Sequence, residues 1–196
     1  MSIIVVVAKY KEDINWVNEL NYPYIVYDKS KDYPNVGRES ETYLRYIIDN
    51  YNNLPDRIVF LQGHPFDHLK IPSIAFVNKE IELNKDTKET ILLRGDYLEG
   101  HNKYTRTFES YSKLFDNKVP EFFVFSRGAQ YIVHKESILH RPLEYYKTII
   151  SVMRDKNNSK SSMANCLVCP WTIERMWPYL FNKNIPHKNI SYNDLL

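Results

Sequence analysis

The sequence predicts an α/β protein with an open, mostly parallel β-sheet and helices on both faces. Over about the first sixty residues, runs of β-branched and aromatic residues typical of buried strands alternate with apolar residues at helical spacing. Two strand–helix–strand passes in so short a length favour a parallel sheet, because parallel strands need a crossover connection. With 196 residues and 43% hydrophobic content, the chain predicts one domain spanning residues 1–196.

Five elements are predicted in the first part of the chain. Tyr43, Leu44, Ile47 and Ile48 recur at helical spacing, and Pro55 ends this pattern. In order, the elements are a strand at residues 3–8, a short helix at 14–20, a strand at 24–27, an amphipathic helix at 37–50 and a strand at 57–61. This alternation is what the predicted fold class requires.

The rest of the chain has a less regular pattern. Residues 69–120 are rich in polar and aromatic residues and predict loops and short helices that cover the sheet edge. After them the sequence predicts strands at 121–126 and 131–134 and helices at 142–153 and 171–181.

Charge and composition argue against several classes of protein. Lysine and arginine number 26 against 24 acidic residues, and the charges are scattered, so neither a nucleic acid nor an anionic membrane is a predicted partner. The apolar start at residues 3–8 is too short for a signal peptide or a transmembrane segment. We therefore expect a cytoplasmic protein with Cys166 and Cys169 reduced, or, as the alternative, forming a redox C-x-x-C pair.

Polar side chains follow each of the three strands predicted in the first part. The third strand runs into Gln62, Gly63 and His64, and Lys9 and Asp28 follow the two earlier strands. Ligands of open parallel sheets bind beyond the carboxyl ends of the strands. We therefore expect Lys9, Asp28 and His64 to meet in one cleft, with Gly63 allowing the chain to approach a ligand closely.

The spacing of His64, Asp67 and His68 around Pro65 leaves three interpretations open. If a helical turn follows Pro65, the three side chains converge and would hold manganese, zinc or another divalent metal. If they diverge, His64 contacts a diphosphate or acts as a base on an acceptor hydroxyl, and basic groups and helix N-termini hold the phosphates. The third interpretation is an ordinary helix cap with a surface pair.

Gly37, Arg38 and Glu39 begin the long predicted helix, directly after Asn35 and Val36. Its free N–H groups and the positive end of its dipole suit an anion, and Arg38 would add a charged fork. The alternative is an exposed first turn in which Arg38 pairs with an acidic side chain.

Further candidates lie in the second half of the chain. Glu174, next to Arg175, would be a general base if burial raised its pKa, or half of a structural ion pair. Asp96, in the loop R-G-D-Y, is a rival carboxylate. Gly128-Ala129-Gln130 place small residues and an amide either where the backbone approaches another group closely or in a tight turn.

Five blocks of the sequence resemble a known family. They read V-V-A-K-Y-K-E-D-I-N-W, N-V-G-R-E-S-E-T-Y-L-R-Y-I-I-D-N-Y-N-N-L-P-D, F-L-Q-G-H-P-F-D-H, R-G-A-Q-Y-I-V-H-K-E-S-I-L-H-R-P and I-E-R-M-W-P-Y-L-F. These blocks span nearly the whole chain. In them the chain resembles a domain-of-unknown-function family whose members look like small GT-A-type glycosyltransferases. The resemblance implies a GT-A-like fold, that is, a nucleotide-binding Rossmann-like sheet.

The resemblance also implies a donor side and an acceptor side of the site. Glu12 lies where a family member would meet the base or ribose of the nucleotide, and the G-A-Q block resembles the acceptor side. The candidate residues are Lys9, Glu12, Asp28, Asn35, Gly37, Arg38, Gln62 and Gly63 for donor binding, His64, Asp67 and Glu174 for catalysis, Asp96, Gly128, Ala129 and Gln130 for the acceptor side, and His64, Asp67 and His68 for a metal.

The chain departs from the GT-A pattern at the metal site. GT-A enzymes usually end the corresponding strand in an Asp-x-Asp that holds a divalent cation, and here that place reads Gln62-Gly63-His64.

We expect a glycosyltransferase that moves a sugar from a nucleotide-sugar donor to a glycan or small-molecule acceptor, either without a cofactor or with manganese or another divalent metal. The other interpretations are a non-catalytic carbohydrate- or nucleotide-binding domain and a metal-dependent hydrolase that uses His64, Asp67 and His68. The sequence does not predict the oligomeric state.

Overall fold

The computed structural model describes residues 1–33, 35–94, 106–155 and 167–196, together with the backbone of Leu98–Glu99. Its strands are β1 Ile3–Lys9, β2 Tyr24–Asp28, β3 Arg57–Gln62, β4 Ile91–Leu92, β5 Leu98–Glu99, β6 Val124–Phe125 and β7 Tyr131–His134. Its α-helices are α1 Arg38–Asn50, α2 Ile74–Leu83, α3 Thr107–Leu114, α4 Glu136–Leu139, α5 Leu143–Arg154 and α6 Pro170–Leu180.

The central sheet has five strands in the order β2-β1-β3-β7-β4. Strand β1 pairs in parallel with β2 on one side and with β3 on the other. Strand β7 runs antiparallel to both β3 and β4, while β5 and β6 form a separate two-stranded sheet. The prediction of an α/β protein with a mostly parallel sheet is therefore confirmed, and the sheet is mixed because of β7.

Two apolar cores cover the two faces of this sheet. Side chains alternate along β3, so Ile58 and Phe60 enter one cluster and Val59 and Leu61 enter the other. The first cluster contains residues of α1, α5 and α6, and the second contains residues of α2 and the short 3-10 helix Asn15–Glu19. Because both faces are covered, the strand ends are left as the open edge for polar side chains.

Helix α2 lies in the region predicted to be irregular. Its N-cap is Ser73, whose hydroxyl oxygen accepts a hydrogen bond from the N–H of Phe76 at 3.1 Å. Ile74, Val77 and Ile81 are buried on one face of the helix. The capping serine and the apolar spacing were both present in the sequence, so α2 was predictable from local signals.

Cys169 lies directly before α6, is buried, and is disulfide-bonded. The expectation of a reduced thiol is therefore wrong at this position, whereas Cys166 lies outside the described residues. The expectation rested on the cellular compartment, but a disulfide depends on the local geometry of two sulfur atoms. Across the described ranges, no helix is both long and apolar enough to cross a membrane.

Candidate functional site

A cleft of about 430 Å³ lies at the edge where β1 and β3 end. The parallel register places Lys9 beside Asp28 and Ala8 beside Gln62, so the ends of β1, β2 and β3 meet at this edge. Eight of the predicted site residues line the cleft: Lys9, Glu12, Asn35, Arg38, Gln62, Gly63, His64 and Asp67. Residues from three separate segments of the chain, 9–12, 35–38 and 62–67, thus come together as the strand topology predicts.

Asp28 forms an ion pair with Lys9, which lines the cleft. The Lys9 Nζ lies 2.5 Å from Asp28 Oδ2, and the carboxylate of Asp28 is buried. Hydrogen bonds from Lys9 and from Ser30 lower the pKa of Asp28 to about 2. Asp28 therefore fixes the ammonium group of Lys9 at the cleft wall.

Glu12 and Gly63 are in close contact with each other. Glu12 Oε2 accepts hydrogen bonds from the N–H groups of Tyr10 at 2.6 Å and Lys11 at 3.1 Å. A Cβ atom on residue 63 would lie 2.7 Å from that same oxygen. The close approach that Gly63 permits is therefore to Glu12 of the chain itself, which differs from the predicted approach to a ligand.

Helix α1 begins at the cleft with two residues in the left-handed region. Gly37 has φ +66°, Arg38 has φ +48°, and Arg38 is exposed. Lys29 Nζ donates hydrogen bonds of 2.5 Å to the carbonyl oxygens of Val36 and Arg38. Because Gly37 has no side chain, the N-cap residue of α1 makes no capping hydrogen bond, and within the first turn the carboxyl group of Glu39 accepts a hydrogen bond from its own backbone N–H.

Glu39, in the first turn of α1, is a cleft residue that was not among the predicted site residues. Burial, followed by the negative charge of Glu174, raises the pKa of Glu39 to about 7, while the positive charges of Arg38 and Lys29 oppose this shift. Its position next to Arg38 at the helix start was the available signal. Its partial burial depends on tertiary packing, and the sequence does not reveal that packing.

The three residues proposed as metal ligands do not converge. His64 and Asp67 are exposed and line the cleft, whereas His68 is partly buried and packs against Gly128. Burial lowers the pKa of His68, and its buried Nδ1 has no hydrogen-bond partner. In the part of the chain that the structure describes, no group of three or more His, Cys, Asp or Glu side chains is arranged to hold a metal ion.

The segment 128–130 holds the neighbouring turn in place. Gly128 and Ala129 have positive φ values of +82° and +50°, and the N–H of Gly128 donates to Glu174 Oε1 at 2.7 Å. Gln130 is fully buried, and its Nε2 donates to the carbonyl oxygen of Pro65 at 3.0 Å. Its Oε1 accepts from the N–H of Gln62 at 3.4 Å.

Gln130 therefore clamps the turn that carries His64, a side-chain role that neither interpretation of this segment included. The predicted acceptor-side residue Asp96 lies outside the described residues.

Comparison with protein families gives a match that extends over most of the chain. The family model described as "Protein of unknown function (DUF3431)" matches residues 4–88 and 66–193. Comparisons with curated proteins and with solved structures found no match. The resemblance to a family of unknown function is thus confirmed, and the chain belongs to the DUF3431 family of proteins of unknown function.

Proposed function

We propose that this protein is a glycosyltransferase that moves a sugar from a nucleoside diphosphate sugar to an acceptor hydroxyl. The observation that carries the proposal is the composition of the cleft wall. The N-terminal end of α1, Arg38 and Lys9 border the same cleft at the ends of three parallel strands. A diphosphate suits this arrangement, because it would receive backbone N–H groups and two cationic side chains together.

The remaining cleft residues suit the sugar-transfer side of the reaction. His64 is exposed on the turn after β3, packs edge-on against Phe66 with ring centroids 5.3 Å apart, and lines the cleft. We propose that its imidazole contacts the diphosphate as a hydrogen-bond donor. Asp67 lines the same cleft and is available for sugar hydroxyls.

We propose a reaction in which side chains and the helix terminus, without a metal, stabilise the leaving diphosphate. An Asp-x-Asp is missing from the end of β3, and His64, Asp67 and His68 are not arranged as a ligand set within the described residues. The same observation gives no support to a hydrolase that would use these three residues as metal ligands.

The test begins with a thermal-shift screen of uridine, guanosine, adenosine and thymidine diphosphate sugars. Any sugar nucleotide that stabilises the protein is then assayed for slow transfer to water, with and without manganese and a chelator. We expect Arg38→Ala to weaken binding by roughly 1–3 kcal/mol, the range for lost hydrogen bonds to a charged group. Arg106→Ala is the matched control, because Arg106 forms a surface pair with Glu109 on α3.

The second candidate function is a non-catalytic domain that binds a nucleotide or a carbohydrate. It is favoured by Glu12, whose carboxylate already accepts two backbone hydrogen bonds and is therefore poorly placed to act on a substrate. Binding of a sugar nucleotide without any hydrolysis would support this candidate. The absence of binding by the whole panel would reject the glycosyltransferase and the nucleotide-binding form of the second candidate.

A further inference from the structure

We propose that Glu39 is the general base of this site and takes the proton from the hydroxyl group that attacks the sugar. The inference rests on the proposed function and adds a catalytic residue to it. It stands on three features of the described residues: the position of Glu39 in the cleft, its lack of an ion-pair partner, and its electrostatic coupling to the buried Tyr43 and the partly buried Glu174.

The first two features distinguish Glu39 from Glu41, the other acidic residue in the first turn of α1. Glu39 lines the cleft beside Arg38 and is partly buried. Glu41 is fully buried and forms ion pairs with three cationic side chains, Lys29, Arg45 and Arg154. Within the described ranges, no lysine or arginine lies at ion-pair distance from Glu39, so its carboxyl group is left to exchange a proton with the cleft.

The third feature is the group formed by Glu39, Tyr43 and Glu174. Tyr43 lies one turn after Glu39 on α1, is fully buried, and its hydroxyl group has no hydrogen-bond partner. Burial, followed by the charges of Glu39, Tyr131 and Glu174, raises the pKa of Tyr43 above its ordinary value. Glu174, on α6, is held by the N–H of Gly128. None of these groups is needed to bind a diphosphate.

The charges that face Glu39 come from several elements and act in opposite directions. Burial and Glu174 on α6 raise its pKa to about 7, whereas Arg38 on α1 and Lys29 after β2 lower it. Tyr43 adds a neutral hydroxyl from α1. A carboxyl group with a pKa near 7 is ionised in part at neutral pH and binds a proton strongly enough to act as a base.

The proposed step balances as a direct displacement. The acceptor O–H bond breaks and its proton passes to a carboxylate oxygen of Glu39. The oxygen lone pair forms the new bond to the anomeric carbon of the sugar. The bond from that carbon to the diphosphate oxygen breaks, and its electron pair leaves with the nucleoside diphosphate, which Arg38 and the α1 terminus hold.

The activity test uses water as the acceptor and compares the parent protein with Glu39→Gln over pH 5–9. We expect donor hydrolysis by the parent to rise with pH through about 7 and then to level off, because only ionised Glu39 accepts a proton. Glu39→Gln should lose about 100- to 10,000-fold in rate, together with the rise near pH 7, while sugar-nucleotide affinity stays within about threefold. Glu144→Gln, which changes an exposed carboxylate on α5, should match the parent.

A second measurement requires no turnover. The folded-state pKa of Glu39 lies above its ordinary value of 4.5, so its stabilising proton is lost as pH rises toward about 7. The parent should therefore lose unfolding free energy relative to Glu39→Gln between about pH 4.5 and 7, as measured by urea denaturation. A flat difference would overturn the inference.

The outcomes separate the two proposals. If the parent hydrolyses a sugar nucleotide and Glu39→Gln does so at the same rate, the base role is overturned and the proposed function stands. If the parent binds and hydrolyses none of the panel, the proposed function fails and the base role fails with it.

Discussion

Gly63 shows how a single missing side chain shapes the cleft. We predict that Gly63→Ala destabilises the protein by roughly 1–3 kcal/mol, because the new Cβ would displace a carboxylate held by two backbone N–H groups. Urea denaturation measures the loss. In a Glu12→Ala background the same substitution should cost less, since the colliding oxygen is gone. Equal costs in both backgrounds would show that the Ala8 carbonyl oxygen, 3.2 Å from the new Cβ, is the obstacle.

At the same scale, the sequence predicted which residue types gather at the strand ends but not which of them are already bonded within the chain. Gln62, His64 and Lys9 follow directly from strands whose ends were predictable. The internal partners of Gln130 were not predictable, because its bonds join segments brought together by the fold, whereas Glu12 bonds the N–H groups of its near neighbours Tyr10 and Lys11. The raised pKa of Glu39 has the same tertiary origin.

Helix α1 is joined to α5 and to the segment after β2 through Glu41. Although burial alone would raise it, the charges of Lys29, Arg154 and Arg45 hold the pKa of this carboxyl below its ordinary value. We predict that Glu41→Gln lowers the free energy of unfolding by roughly 3–5 kcal/mol, because it leaves three cations without their shared anion. Glu144→Gln, which breaks a surface pair with Lys147, should change stability by less than about 1 kcal/mol.

Glu41→Gln should also weaken sugar-nucleotide binding. Lys29 is one ion-pair partner of Glu41. Its Nζ also donates hydrogen bonds to the carbonyl oxygens of Val36 and Arg38, so it fixes the start of α1 at the cleft. Isothermal calorimetry on the folded variant measures this effect. Unchanged stability and affinity would mean that the three cations are adequately held by other groups and by solvent.

The sequence predicted the bounds of some strands more accurately than those of others. The strands predicted at 3–8, 24–27 and 57–61 each extend one residue further, to Lys9, Asp28 and Gln62, since strand ends carry polar residues that periodicity does not count. The strand predicted at 121–126 is only Val124–Phe125, because pairing, which the sequence does not show, decides how much of an extended segment joins a sheet. The antiparallel direction of β7 is likewise a property of the connection, not of the strand.

The whole molecule carries a pH dependence to which its partly buried histidines contribute. Burial is the largest cause of a lowered pKa at His68, His134, His140 and His187, and it lowers the pKa of His140 to about 4. The folded state therefore prefers the neutral rings, and the stability this gives is present above the ordinary value of 6.5 and is lost as pH falls below it. Glu39 acts in the opposite direction between about pH 7 and 4.5.

We therefore predict that the free energy of unfolding decreases from pH 7 to pH 4.5, before the ion-paired carboxylates contribute. Asp28 and Glu136, each with a pKa lowered to about 2, begin to cost stability only as pH falls below their ordinary values near 4. Urea denaturation at half-unit pH intervals measures the slope, and His140→Gln should make it shallower because the buried ring no longer has to be charged. His64→Gln, which removes an exposed imidazole, is the comparison variant. A slope that is the same in the parent and in His140→Gln would show that His140 accepts its proton as readily in the folded chain as in the unfolded one.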